Sequence, residues 1–163
     1  MNAIAKGSSP KKAAEVEHML KLGVENHDIV PTTITYGTIL NACAYTKGSS
    51  YDKIAAFKIA RNTFKKILSE CDPNHIVFTA FLKACINLVP PGPKRDQLVK
   101  SVFQECCQFG MVSQNTILSL RRALSEEKLD DILHGTTLAR GRIAIEDLPF
   151  EWRKRTKGVR THG

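Results

Sequence analysis

The sequence contains no apolar run approaching the ~20 residues that a bilayer core requires. Its longest apolar-rich patches, Ile76 to Leu82 and Ile117 to Leu120, are far too short to span one. It also lacks a glycine-rich phosphate loop, a nucleophile elbow and a pair of carboxylates at catalytic spacing, so nothing points to an enzyme. The five cysteines are odd in number, and Cys106 and Cys107 are adjacent, which does not make a disulfide framework. No Cys-x-x-Cys pair is present, and His18, His27, His75, His134 and His162 are scattered. Neither a metal nor any other cofactor is expected. Nothing near Met1 resembles a secretory leader, so a reducing interior is the expected compartment. The three lysines and absent acids of Met1 to Lys12 hint at a transit peptide.

Acid is scarce: 16 Asp plus Glu against 24 Lys plus Arg leaves a net charge of +8. That balance favours a polyanionic partner over a cationic one. Hydrophobic residues make up 42% of the chain, which excludes wholesale disorder. A length of 163 residues suits one domain or a short array of repeats.

Strand signals are missing as well, because β-branched residues are scattered and no alternating run lies between hairpin turns. Helix signals are abundant. Ser9-Pro10 opens a helix from Lys11 to Leu22, with Val16, Met19 and Leu20 on one stripe and Gly23 as its stop. Thr32 or Thr33 caps a second helix to about Thr46, burying Ile39, Leu40 and Cys43. Lys47-Gly48-Ser49-Ser50 breaks that helix, and Ser50 is expected to cap the next. The third, Tyr51 to about Glu70, places Phe57, Ala60, Phe64, Ile67 and Leu68 at helical spacing, with Lys53, Lys58, Arg61, Lys65 and Lys66 on the other faces. Asp72-Pro73 ends it. Asn74 caps a fourth helix through Leu88, and Pro90-Pro91-Gly92-Pro93 stops it. A fifth spans about Lys94 to Gln108, with Leu98, Val102, Phe103 and Cys106 inward and Gly110 beyond its end. Ser113 to Leu124 and Ser125 to His134 form two shorter helices. The chain therefore divides into a flexible segment (1–10), an all-α domain (11–134) and a basic tail (135–163).

A shift of 42 residues lays the segment from Pro31 onto the segment from Pro73. Pro31 meets Pro73, Ile34 meets Ile76 and Tyr36 meets Phe78. Leu40 then meets Leu82, Ala42 meets Ala84 and Cys43 meets Cys85. A degraded third copy starts at Val112-Ser113, with Ala123 lying 39 residues after Ala84. A single helix pair cannot bury its apolar face alone, so such pairs are expected to stack.

The opening Pro31-Thr32-Thr33-Ile34-Thr35-Tyr36-Gly37-Thr38-Ile39-Leu40-Asn41-Ala42-Cys43 resembles that of a pentatricopeptide repeat. Pro73-Asn74-His75-Ile76-Val77-Phe78-Thr79-Ala80-Phe81-Leu82 looks like a second one. Lys11 to Gly23 resembles the second helix of a repeat whose first helix is missing. The likeness covers Lys11 to Leu124, although these copies are longer than the family's usual repeat, with the excess at Lys47 to Lys53 and Val89 to Lys94. It implies a right-handed helical-hairpin solenoid of about two full repeats with partial terminal ones, and a non-enzymatic protein that binds single-stranded RNA in an organelle (mitochondrion or plastid). By the same likeness, Ile34 and Ile76 pack on bases. Gly37 and Thr79 stand at the base-reading fifth position, and Asn74 and Ser113 at the closing position. Gly37 has no side chain to read with, and two repeats read only about two bases.

Lys83 and the basic cluster Arg153-Lys154-Arg155, with Lys157 and Arg160 nearby, offer charge to phosphates, and Trp152 offers a stacking surface. The plainer reading of that cluster is solubilising charge. Leu148-Pro149-Phe150-Glu151-Trp152 is expected to dock back as a cap on the last helices, or else to serve as a partner-docking peptide. Cys43 and Cys85 read as core thiols. A protein-protein scaffold built on the same surface is the competing function, with no membrane and no small-molecule substrate in either case.

Overall fold

In the computed structural model, which describes residues 11–27, 30–133 and 143–156, the regular elements are helices, and no strand occurs among these residues. In chain order they are α1 (Lys12–His27), α2 (Thr33–Ala44), α3 (Ser50–Glu70), α4 (His75–Leu88), α5 (Pro93–Gln108), α6 (Gln114–Ala123) and α7 (Glu126–Ile132). A 3-10 turn (Ile145–Asp147) and a single-turn helix α8 (Phe150–Arg153) follow.

Side-chain caps set the starts. The Thr32 hydroxyl accepts from the Thr35 amide while the Thr35 hydroxyl accepts from the Thr32 amide. Ser113 and Thr116 repeat that reciprocal box at α6, and Asn74 caps α4 through Val77 N at 3.0 Å. Each such cap is worth about 1 kcal/mol. At α3 the cap is Ser49 and not Ser50, because Asp52 lies three residues on and answers its amide at 2.8 Å. α5 ends in a Schellman turn: Met111 N donates to Cys106 O and Gly110 N to Cys107 O, both at 3.0 Å, with Gly110 at φ +69°.

Three further expectations are corrected. α1 does not stop at Gly23 but runs on to His27. A glycine inside a helix costs about 1 kcal/mol, which packing of α1 on α2 and α3 outweighs. Its buried stripe is Ala13, Val16 and Leu20, while Met19 stays 45% exposed. On α5 the inward residue is Val99, with Leu98 only half-buried.

α4 is the centre of the molecule. It touches α2, α3, α5 and α6, and its residues are accordingly apolar nearly all round, from Val77 and Phe78 to Cys85 and Leu88. The most extensive helix contact is between α2 and α4. Phe64 of α3 stacks on Phe81 of α4 with ring centroids 4.1 Å apart, and meets Phe78 edge-on at 5.5 Å. From α1 to α6 each helix packs on the next, and in addition α2 packs on α4, α4 on α6 and α1 on α3.

Polar ties fix the ends of α2, α4 and α6. Asn87 Nδ2 donates to Ala44 O at 2.8 Å. Arg95 of α5 donates to Ile86 O at 3.4 Å and to Ala123 O at 3.2 Å, placing a cation at the negative ends of α4 and α6. At the opposite ends, Thr33 Oγ1 donates to Asp72 O at 3.1 Å.

Candidate nucleic-acid interface

The caps Thr32, Asn74 and Ser113 phase α2, α4 and α6 identically, at separations of 42 and 39 residues. Residues at a fixed distance from each cap therefore occupy the same helical face. Two residues in, the row is Ile34, Ile76 and Asn115, all outward, with Ile34 at 80% exposure and Ile76 at 57%. An isoleucine exposed to that degree on two matching positions is not held there by the core.

Five residues in, the row is Gly37, Thr79 and Leu118. Gly37 is itself buried, yet a Cβ added there would meet nothing within 4 Å, so the position has room for a side chain. Thr79 is buried and its hydroxyl donates to His75 O at 2.8 Å, which spends its proton inside its own helix. Leu118 is 45% exposed. Nine residues in, Asn41 and Lys83 are half-buried and Arg122 is exposed. At matching positions the three helices thus carry the exposed Ile34, Ile76 and Asn115, then Gly37, Thr79 and Leu118, then Asn41 and the cations Lys83 and Arg122.

The closing residues have local duties. Asn74 uses its side-chain oxygen for the α4 cap, leaving its amide NH2 outside that bond. Ser113 Oγ accepts from Thr116 N at 3.3 Å and lies 3.1 Å from the Thr116 hydroxyl.

The tail cations do not sit together as one free patch. Arg155 NH2 bonds both carboxylate oxygens of Asp72, at 2.8 and 2.7 Å. Lys154 pairs with Glu151 at 2.6 Å, and Arg153 donates to Leu148 O and lies over the Phe150 ring, 5.7 Å from its centroid. Trp152 meets Phe103 of α5 edge-to-face at 5.7 Å, and its carbonyl accepts from Val112 N at 2.8 Å. Leu148 and Ile143 are buried, and Gln114 Nε2 donates to Ile143 O. The segment therefore straps α5 and the turn before α6, and reaches back to the end of α3. His134, Lys157, Arg160 and His162 lie outside the described residues, as do 1–10.

On α3, Lys58, Arg61, Lys65 and Lys66 are exposed, and none of them is held in an ion pair among the described residues. Burial pushes the thiols of Cys43, Cys85 and Cys107 up to about 12, and that of Cys106 higher still, so all stay protonated near neutral pH. No three described His, Cys, Asp or Glu side chains are placed to hold a metal ion, and no described helix is long and apolar enough to cross a membrane.

Asn115, Leu118 and Arg122 were not among the residues singled out from the sequence. Their signal was the Ser113 cap, which phases the third copy once it is aligned on Asn74. Comparison with family models, curated proteins and solved structures finds no match for this chain.

Proposed function

We propose that the chain is a short solenoid of stacked helix pairs, of the pentatricopeptide type, that binds single-stranded RNA across α2, α4 and α6 without catalysing a reaction. The observation that carries this reading is the common phase of the three caps together with the exposure of Ile34 and Ile76 at matching positions. Bases pack on Ile34 and Ile76, while Lys83 and Arg122 attract phosphates. With no side chain at Gly37 and Thr79 turned inward, recognition is tolerant of sequence. Its place of action is an organelle, on the strength of the family resemblance alone. That missing side chain, and the apolar Leu118 at the matching position of α6, also favour a second reading in which α2, α4 and α6 dock a protein.

Titration of single-stranded homopolymer RNAs at two salt concentrations separates them. Binding that weakens with salt is expected, and Lys83→Ala with Arg122→Ala should lower the slope of log K against log salt by about 1.4, for two lost contacts to a single strand. No binding at low salt would overturn the RNA reading.

A further inference from the structure

We infer that the outward face of α1 is a self-association surface, on which a second copy of this chain lays its own α1 antiparallel. The two ends of the fold differ in what they leave uncovered. At the carboxyl end, α7 buries Leu129 and Ile132, and the tail strap covers α5 with Trp152. At the amino end, α1 turns Ala13, Val16 and Leu20 onto α2 and α3, and nothing among the described residues covers its other side. There Met19 and Leu22 are 45% and 43% exposed.

Glu15, Met19, Leu22 and Asn26 follow a four-three-four spacing, which is the seam of a two-helix coil with an apolar centre and polar ends. The buried stripe uses other positions, so the seam is free to pair. Charge selects the occupant. α1 holds Lys12 and Lys21 against Glu15, Glu17 and Glu25, a balance of 2 − 3 = −1 in a chain of +8. A nucleic acid is repelled from such a face, whereas a second copy of α1 meets it without the cationic repulsion that separates the rest of the surface. Direction follows from the same residues. Antiparallel pairing sets Met19 over Leu22 of the second copy and Glu25 near its His18; parallel pairing would set Glu15 against Glu15 in the seam. A helix of 16 residues is about 24 Å long, and pairing two of them covers on the order of 1,000 Å², the lower bound for a specific interface. The dimer is therefore expected to be weak, and it does not depend on RNA.

Sedimentation equilibrium of the full chain over two decades of concentration tests this. A monomer-dimer equilibrium is expected. Met19→Glu and Leu22→Glu each raise its dissociation constant by about tenfold or more. Ile54→Glu, at an apolar residue 67% exposed on α3, leaves it unchanged. Circular dichroism confirms that the exposed-site variants keep their helix content. A single monomeric mass at every concentration, open-ended polymers, or a dimer indifferent to the α1 variants would each overturn the inference.

Discussion

Alkaline solution should destabilise this protein, and the cause is its thiols. Cys43 and Cys85 hold matching places on α2 and α4, both completely enclosed, and burial pushes each from 9.0 to about 12. Below pH 9 the folded and unfolded chains both keep the proton, and the pair is indifferent to pH. Between 9 and 12 the unfolded chain sheds it and the folded chain does not, so stability falls as pH rises. At pH 10 the two enclosed thiols together cost on the order of 3 kcal/mol out of a typical 5–15. Cys106 and Cys107 act in the same direction, as does the Tyr36 phenol, which burial and its bond to Glu70 push up to about 12. Urea unfolding followed by circular dichroism at about pH 7, 9 and 10, with reductant present, measures the drop. In Cys43→Ala/Cys85→Ala the protein starts less stable at pH 7 because of the small voids, yet loses about 3 kcal/mol less on going to pH 10. An alkaline drop of the same size in the double variant would refute the reasoning.

Phe81→Ala should cost about 3–5 kcal/mol, since the ring is buried and stacked between Phe64 and Phe57; a Tm close to that of the parent would contradict the packing. Gly110→Ala strains a left-handed turn and drives a Cβ to 3.0 Å from Lys154 Cγ and 3.1 Å from Glu151 O. Besides a loss of about 1–2 kcal/mol, it should loosen the strap and red-shift the emission of Trp152, the single tryptophan. Unchanged fluorescence and stability would show that the turn and the strap are not coupled.

Much of the helical framework was legible in the sequence because its signals are local. Asn74, Ser113 and the proline run 90–93 mark boundaries through backbone chemistry that needs no partner. The 42-residue offset likewise placed Cys43 and Cys85 correctly in the core. Legibility failed where distant contacts decide. Gly23 looked like a stop, but α2 and α3 hold the helix together beyond it. The Ser49 cap was readable from Asp52, three residues on, and was mistaken for its neighbour. Arg155 read as a free cation because Asp72, its partner, lies 83 residues away. Thr79 is a further case, since composition cannot tell which way a hydroxyl turns.

The position of α4 decides how the molecule comes apart. Four other helices lean on this one, and its phenylalanines belong as much to α3 as to itself. Among the described residues, a cut on either side of α4 leaves neither piece with its full set of helix contacts. The duplicated pattern in the sequence does not correspond to separable modules, and the described helices should melt in one transition without shedding a terminal pair first.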